Sequence, residues 1–405
     1  MYLLKETHMS VMTEAGIQPF TVDTPEEALD DLRRRIKATR WPTKELVDDR
    51  SQGVQLETMQ ALARYWLTDY DWRTVEAQLN ALPQFTTEID GVTIHFIHVK
   101  SQNENALPLV LTHGWPGSII EMLEVIGPLT DPTAYGGNAE DAFDVVIPSI
   151  PGYGFSSEPT ERGWESDRTA RTWPKLMGRL GYTRFVAQGG DVGAAVSDSM
   201  GRQAPEGLLA VHTNLFVPAL AGVQLPSDTD EERAAHAGIA TFRATGFGYF
   251  LEMATRPQTI GYAQLDSPIA LAAWLLDHDT DAYHKAHAAF VDGKPSGNLT
   301  RDHFLDNITL YWLTRTGASA ARSYWESAQT SAAAAAVGKT PPPMNLPFGF
   351  TSFPGEIWRT PRSWVESVYP NVVYYNAAER GGHFAAWEEP QLFSEELRAA
   401  FRSVR

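Results

Sequence analysis

The sequence predicts an α/β fold with a mostly parallel sheet flanked by helices, an inserted helical cap and a helical N-terminal extension. Two observations lead to this class. Short apolar segments typical of buried strands alternate with helical segments over residues 106–214, which favours parallel strands joined by helical crossovers. Strand patterns then stop, aromatic-rich helical sequence fills residues 215–343, and strand patterns return over 344–405. A helical block between two halves of a sheet indicates a cap.

The N-terminal part precedes the parallel strands. Residues 1–18 are expected to form a tail, and residues 19–105 an N-terminal region that also carries the first strands. Apolar side chains recur at helical spacing near 24–37, 56–67 and 72–82, and the turn Asp90-Gly91 predicts a hairpin around it. The remaining predicted strands are 107–112, 143–147, 185–188, 208–213, 348–353 and 372–376, with a closing helix over 390–404.

The composition excludes several classes of function. With 33 basic and 50 acidic residues the net charge is −17, which argues against binding to a nucleic-acid backbone. The chain has no cysteine, so disulfides, cysteine-ligated metals and cysteine nucleophiles are excluded. We see no signal-peptide core and no apolar run of membrane-spanning length. We therefore expect a soluble, cytoplasmic protein.

A short glycine-rich turn carries the candidate nucleophile. In Gly189-Gly190-Asp191-Val192-Gly193-Ala194 a predicted strand ends, small residues flank one reactive side chain, and a helix begins. This pattern resembles the nucleophile elbow of α/β-hydrolases, with Asp191 in place of the more familiar serine. A carboxylate that attacks a saturated carbon forms an ester, which water can cleave. Asp191 therefore favours ring opening or halide displacement over ester or peptide hydrolysis.

A second motif predicts an oxyanion hole. His113-Gly114-Trp115-Pro116 follows the strand expected beside the nucleophile strand, and Trp115 lies 76 residues before Asp191. In this fold the backbone N–H groups of Trp115 and Val192 would hold the developing oxyanion. We expect the His113 ring to organise the loop, and Trp115-Pro116 is a candidate cis peptide.

The candidate base and its acid lie near the C-terminus. His383 sits in Gly381-Gly382-His383, after the last predicted strand, where adjacent glycines allow a sharp turn. Glu356 follows the penultimate strand and is expected to accept the ring N–H of His383. Glu379 and Glu388 are the alternatives for this role.

Other histidines lack that context. His95 and His98 lie on an early predicted strand and are expected to be surface or edge residues. Four more lie in the predicted cap without a glycine turn, and we assign them no catalytic role: His278, His284, His287 and His303.

Opening an epoxide would need a proton donor for the alkoxide. Tyrosine remains protonated at neutral pH and fits this role. Tyr249 and Tyr324 are candidates in the predicted cap, but among 14 tyrosines their spacing does not single them out.

Taken together, the motifs resemble the epoxide hydrolases of the microsomal, juvenile-hormone and fungal type. The resemblance extends from about residue 19 to 404, and it rests on the loop and elbow above and on these segments: Tyr65-Trp66, Asp71-Trp72-Arg73, Thr255-Arg256-Pro257, Asp266-Ser267-Pro268, Asn307-Ile308-Thr309-Leu310-Tyr311-Trp312, Phe353-Pro354-Gly355-Glu356 and Glu379-Arg380-Gly381-Gly382-His383-Phe384. Microsomal and insect members carry an N-terminal membrane anchor, which we do not find here, so the chain is more similar to the soluble members.

The resemblance implies a mechanism and its residues. Asp191 would attack the epoxide, Tyr249 and Tyr324 would protonate its oxygen, and His383 with Glu356 would activate the hydrolytic water. No metal or organic cofactor is implied. A homodimer is an expectation only at the level of the family, and both detoxification and biosynthesis of a specialised metabolite stay open.

The substrate is expected to be a small apolar or aromatic epoxide. This expectation rests on aromatic residues near the candidate tyrosines and in the two loops, which we predict to contact it: Trp115, Phe247, Phe250, Trp312, Trp325 and Phe384.

Two alternatives remain at this point. A haloalkane dehalogenase would share the elbow, but such enzymes typically carry tryptophan after the nucleophile, where this chain has Val192. A non-catalytic ligand-binding relative would be expected to lack one of the reactive residues, and all of their positions are filled here.

Overall fold

The computed structural model describes residues 16–405, and it confirms the predicted α/β class. One sheet within these residues holds nine strands. Their bounds are β1 (Ile17–Pro19), β2 (Gln84–Ile89), β3 (Val92–Val99), β4 (Leu107–Thr112), β5 (Phe143–Pro148), β6 (Phe185–Gly189), β7 (Leu208–Thr213), β8 (Phe348–Ser352) and β9 (Val372–Ala377).

The strands are arranged in the order β1-β2-β3-β5-β4-β6-β7-β8-β9. The pairs from β1 to β5 are antiparallel, and the pairs from β5 through β4 to β9 are parallel. Strand β4 lies beside β6, with Thr112 opposite Gly189. The loops that follow these two strands therefore emerge side by side, as the sequence predicts for the oxyanion loop and the elbow.

Helices cover the sheet and fill the segment between β7 and β8. Their bounds are α1 (Glu26–Lys37), α2 (Leu56–Thr68), α3 (Trp72–Asn80), α4 (Ile126–Thr130), α5 (Ser166–Arg179), α6 (Asp191–Gln203), α7 (Asp230–Thr241), α8 (Gly248–Thr255), α9 (Pro257–Asp266), α10 (Pro268–Leu276), α11 (Thr280–His287), α12 (Arg301–Thr314), α13 (Gly317–Ala336), α14 (Arg362–Val368), α15 (Ala385–Glu388) and α16 (Pro390–Phe401). Over residues 16–405, none of the helices has the length and apolar character needed to cross a bilayer.

The centre of the sheet forms the core. Leu109, Val145 and Val186 lie on three adjacent strands and have no exposed surface. This burial explains the nearly continuous apolar sequence of these strands, because helices cover both faces of a parallel sheet.

The N-terminal edge differs from the predicted tail. Residues Ile17–Pro19 form β1, which pairs with β2 and places Ile17 opposite Thr87. Ile17 is buried, so this pairing removes an apolar side chain from water. The rest of the predicted tail, residues 1–15, lies outside the described residues.

The expectation for His95 and His98 was wrong. Both side chains are buried, because β3 is an interior strand with β2 on one side and β5 on the other. The ring nitrogens of His95 are hydrogen-bonded to Ser149 and Gln84, and Nε2 of His98 lies 2.8 Å from the Tyr182 hydroxyl. Polar partners supplied by neighbouring elements allow these histidines to be buried.

The N-terminal helices are hydrogen-bonded to the helical block. From α2, Trp66 Nε1–H donates to Thr309 at 3.0 Å, and the Tyr65 hydroxyl donates to Asp302 at 2.9 Å. The Tyr70 hydroxyl donates to Asp306 at 2.8 Å. All three acceptors lie on α12.

Candidate active site

Asp191 lies at the turn between β6 and α6. Its backbone has φ +49°, in the left-handed region that a residue with a side chain seldom adopts. Glycines allow this turn and the neighbouring loop to pack closely together. A Cβ on Gly193 would lie 2.0 Å from the carbonyl oxygen of Thr112, and one on Gly114 would lie 2.4 Å from Cβ of Asp191. The small residues in both motifs are therefore required for the nucleophile strand and the oxyanion loop to approach each other.

The oxyanion loop contacts the nucleophile directly. The backbone N–H of Trp115 donates to Oδ1 of Asp191 at 2.9 Å. The Trp115-Pro116 peptide is cis. Val192 is the second residue of α6, and its predicted role as the other oxyanion donor stays a prediction.

His113 organises the loop, in agreement with the sequence analysis. Its Nδ1 lies 3.0 Å from the carbonyl oxygen of Gly114, and its Nε2 accepts from the N–H of Ile150 at 3.2 Å. Burial lowers the pKa of His113 to about 4, so the ring is neutral at neutral pH.

His383 and Glu356 form a buried pair beside the nucleophile. Nδ1 of His383 lies 2.6 Å from Oε1 of Glu356, and Nε2 lies 3.6 Å from Oδ2 of Asp191. Glu379 is exposed, while Glu388 forms an ion pair with Lys285. Of the three candidate acids, Glu356 is the one hydrogen-bonded to His383.

The charges around His383 and Asp191 shift the pKa values of both side chains. Burial lowers the pKa of His383, but the carboxylates of Glu356, Asp191 and Asp279 outweigh it and raise that pKa to about 10. Burial also acts to raise the pKa of Asp191, yet the nearby imidazoles and the Trp115 N–H lower it below its ordinary value. Asp191 is therefore ionised, and His383 is protonated, in the free protein at neutral pH.

The two candidate tyrosines lie over the oxyanion loop. The ring of Tyr249 stacks on Trp115 with centroids 5.0 Å apart, and Tyr324 meets the same indole edge-on at 6.0 Å. Burial and the charge of Asp191 raise the pKa of both phenols well above the ordinary value. Both tyrosines are therefore protonated and able to donate.

The predicted aromatic contacts divide into two groups. Phe250 stacks on Phe247 with centroids 4.4 Å apart and meets Tyr324 at 5.3 Å, and Phe384 lies 5.0 Å from the His383 ring. The other two are elsewhere: Trp312 lies under the Arg35 guanidinium, and Trp325 lies under that of Arg162. Within residues 16–405 neither tryptophan makes a ring contact with the aromatic side chains around Asp191, and their contact with substrate stays a prediction.

Sequence reasoning missed His278. This side chain is buried in the short connection between α10 and α11, and its Nε2 lies 3.8 Å from Oδ2 of Asp191. Its ring centroid is 4.4 Å from that of His383 and 4.9 Å from that of Tyr249. A possible signal was the adjacent Asp279, because a His-Asp pair provides a histidine with its own carboxylate partner.

Three of these residues could hold a metal ion. One donor atom each from Asp191, His278 and His383 lie within 4.8 Å of one another. Two imidazoles and a carboxylate suit divalent transition metals such as Zn²⁺. A bound ion would engage both the nucleophile and the base, so it would compete with the chemistry of this site. That the reaction needs no metal or cofactor stays a prediction.

A cavity of about 30 Å³ borders the site. Its walls include Pro116, His278, Asp279, Phe384 and Trp387. The space is mostly apolar and reaches the ring of His278 from the side of the helical block.

Comparisons with known proteins agree with this geometry. Residues 17–122 match the family model described as "Epoxide hydrolase N terminus", and residues 108–227 match that of the alpha/beta hydrolase fold. A Stigmatella aurantiaca protein, provisionally named an epoxide hydrolase, is 49% identical over 96% of this chain and 86% of its own. Epoxide hydrolase 1 of Sus scrofa is 35% identical over 95% of this chain and 88% of its own.

A solved structure leads to the same assignment. The Aspergillus niger epoxide hydrolase superposes with a TM-score of 0.80 at 33% identity, covering 96% of each chain. The similarity therefore spans the N-terminal helices, the sheet and the helical block together. By sequence and by fold, the chain belongs to the epoxide hydrolase family.

Proposed function

We propose that this epoxide hydrolase converts an epoxide and water into a vicinal diol through a covalent ester on Asp191. The observation that carries the proposal is that the two oxygens of the Asp191 carboxylate have different partners. Oδ1 accepts from the Trp115 N–H, whereas Oδ2 faces His383. Oδ2 is therefore the oxygen that attacks, and Oδ1 remains as the carbonyl oxygen in the oxyanion hole.

In the first step Oδ2 of Asp191 forms a bond to one epoxide carbon while the bond from that carbon to the ring oxygen breaks. The ring oxygen leaves as an alkoxide and takes a proton from Tyr249 or Tyr324. Burial supports this role, because it keeps both phenols protonated until a strongly basic oxygen reaches them.

In the second step water attacks the ester carbonyl carbon. His383 takes a proton from the water, Glu356 stabilises the resulting imidazolium, and the N–H groups of Trp115 and Val192 stabilise the oxyanion. The intermediate then collapses as the bond from the carbonyl carbon to the diol oxygen breaks. That oxygen takes up the other proton of the attacking water and leaves as part of the diol, and Asp191 is again a carboxylate. Ester formation removes the negative charge of Asp191, which helps to hold the pKa of His383 high. The pKa of His383 therefore falls when the ester forms, and the ring becomes a base when water is needed.

Residues 215–343 are proposed to act as a cap that selects the substrate. Phe247 and Phe250 form a stacked apolar surface beside Tyr324, and Phe384 adds a ring from the opposite loop. This surface favours a small apolar or aromatic epoxide over a charged one. Trp312 and Trp325 are left out of the proposed surface because they pack elsewhere.

A single-turnover experiment tests the ester. Excess protein is mixed with styrene oxide in water labelled with oxygen-18, and the digest and the diol are analysed by mass spectrometry. We expect the label in the Asp191 peptide and an unlabelled first-turnover diol. A labelled diol with an unlabelled Asp191 peptide would mean direct attack by water and would refute the ester. The D191N variant is the control for label in that peptide.

A halide assay separates the competing reaction. Dehalogenation would release halide from chlorinated alkanes and would not require two phenol donors. We expect diol from styrene oxide and no halide from 1-chlorobutane. Halide release without diol formation would identify a dehalogenase instead.

A further inference from the structure

A second histidine–carboxylate pair faces the nucleophile. Nδ1 of His278 lies 3.1 Å from Oδ2 of Asp279, whose Oδ1 accepts from the N–H of Ala282 at 2.7 Å at the start of α11. Both side chains are buried. Burial acts to raise the pKa of Asp279, but His278, His383 and the Ala282 N–H lower it to about 2. Asp279 is therefore a fixed negative partner that receives the Nδ1–H of His278.

The other nitrogen of His278 has no such partner. Its Nε2 is buried and makes no hydrogen bond within residues 16–405. The ionisable groups that face this ring are Asp191, His383 and Tyr249, with Asp279 on the Nδ1 side, and the rings of Trp115 and Phe384 also contact it. Because Asp279 fixes the tautomer, Nε2 presents a lone pair to the site when the ring is neutral. A buried ring nitrogen without a hydrogen-bond partner is uncommon in folded proteins, so its position beside Asp191 needs an explanation.

Ester formation in the proposed reaction leaves two buried side chains in protonation states that must change before water can attack the ester. After ester formation a tyrosine has given its proton to the alkoxide, while His383 still carries the proton that it holds in the free protein. The first group is then a buried tyrosinate and the second a buried imidazolium. His383 can take a proton from water only after its own proton has left, and the tyrosinate is the base that can receive this proton.

The ring of His278 lies between these two groups. Its centroid is 4.4 Å from His383 and 4.9 Å from Tyr249, whereas no such contact is recorded with Tyr324 among the described residues. Tyr249 has 5% of its surface exposed, which restricts its reprotonation by bulk water. His278 therefore contacts both the donor and the acceptor of such a proton transfer.

We propose that His278 relays the proton from His383 to Tyr249 between the two steps of each turnover, which frees the base and restores the acid; this inference rests on the proposed ester mechanism. The N–H bond at Nε2 of His383 breaks as one forms at Nε2 of His278. That bond then breaks as the O–H bond of Tyr249 forms. The Nδ1–H of His278 stays with Asp279 throughout, and no charge is created or lost overall.

Stopped-flow kinetics on the H278Q variant test the relay. Glutamine keeps a polar side chain but cannot carry the proton. We expect ester formation in the first turnover to stay within about twofold of the unsubstituted protein, because His278 acts after it. We expect the near-ultraviolet absorbance of tyrosinate to persist and kcat to fall roughly a hundredfold, which is typical of a lost proton-transfer group.

Two further variants separate a relay from a packing role. H212Q removes another buried imidazole, one that contacts Thr351, and is expected to leave tyrosinate decay unchanged. In a Y249F background the H278Q substitution should add little, because no tyrosinate forms at that position.

Three results would overturn the relay. Tyrosinate decay and kcat could be the same in H278Q as in the unsubstituted protein. Ester formation could slow by the same factor as kcat, which would make His278 a residue that positions Asp191. The loss in kcat could also be as large in the Y249F background. Failure of the ester mechanism itself is distinguishable, because the unsubstituted protein would then show no labelled Asp191.

Discussion

Trp115 and Asp191 are joined by a hydrogen bond from the backbone N–H of one to Oδ1 of the other, 2.9 Å long. The donor that is to hold the oxyanion is thus in place before any substrate binds. Little rearrangement is needed at this atom between the free carboxylate, the ester and the tetrahedral intermediate. The same bond distinguishes the two carboxylate oxygens, since it leaves Oδ2 as the nucleophile of the proposed reaction.

Replacing the candidate proton donors will slow the first chemical step. We expect Y249F and Y324F each to reduce the rate of ester formation, and the double variant to reduce it roughly a hundred- to ten-thousand-fold. Hydrolysis of ester that has already formed should change little in Y324F, because Tyr324 lies outside the proposed proton relay. Rapid-quench detection of the protein-bound ester measures both steps. Y262F, at an exposed tyrosine of α9, is the matched control and should behave as the unsubstituted protein.

The acid partner of the base can be identified by its effect on the second step. We expect E356Q to leave ester formation nearly intact and to slow ester hydrolysis, because the His383 imidazolium loses its stabilising carboxylate. The ester should then accumulate in intact-protein mass spectra. E379Q changes an exposed carboxylate close to His383 in sequence and should not cause accumulation. Accumulation in both variants would contradict the assignment.

The charge of Asp191 should control the titration of His383. Its carboxylate is one of the groups that raise the pKa of His383 to about 10. We expect D191N to lower this pKa, which NMR titration of the ring protons can measure. The D191N variant lacks the negative charge that the proposed ester would also remove. The pKa of His383 in this variant therefore reports whether loss of that charge makes His383 a base near neutral pH. An unchanged pKa of His383 in D191N would argue against the proposal that ester formation turns His383 into a base.

Glu121 makes stability depend on pH. Burial raises its pKa from 4.5 to about 8. Below pH 4.5 both the folded and unfolded forms are protonated, and between pH 4.5 and 8 only the unfolded form ionises. The free energy of unfolding should therefore fall as pH rises through this window, at about 1.4 kcal/mol per unit at most.

Denaturant unfolding at several pH values checks this prediction. We expect E121Q to lose less stability than the unsubstituted protein across the window, because glutamine does not ionise. E57Q, at an exposed position of α2, should follow the unsubstituted protein. Identical pH profiles for E121Q and the unsubstituted protein would contradict the raised pKa.

Zinc should inhibit the reaction at this site. Asp191, His278 and His383 offer donor atoms within 4.8 Å of one another, and the second ring nitrogen of each histidine contacts a carboxylate. Such carboxylate-backed histidines are typical of zinc sites. We expect micromolar to millimolar Zn²⁺ to slow diol formation, EDTA to restore it, and H278Q to weaken the inhibition. Equal inhibition in H278Q would place the ion elsewhere.

Local sequence patterns predicted the parallel strands and the nucleophile turn because their determinants are local. Buried apolar segments, a glycine-flanked Asp191 and the glycine turn before His383 are each visible within a few residues. His278 has no such signal, because it reaches Asp191 only through the packing of α10 against the loops. His95 was misjudged for the same reason, since its polar partners come from other elements.

The structure gives no support to the predicted substrate contacts of Trp312 and Trp325, for a geometric reason. Trp325 follows Tyr324 on α13, and proximity in sequence suggested proximity in the site. Successive residues on a helix point about 100° apart, so neighbours in sequence face different surroundings. Tyr324 is buried over Trp115, while Trp325 lies under Arg162.

The hydrogen bonds between α2 and α12 have a consequence for protein engineering. Exchange of the 215–343 segment between relatives is an obvious way to transfer substrate preference. In this chain Thr309 and Asp302 are held by Trp66 and Tyr65, more than two hundred residues earlier. A chimera that takes one stretch without the other would leave a buried indole N–H without its acceptor. The two stretches should therefore be exchanged as a pair, although they are far apart in the gene.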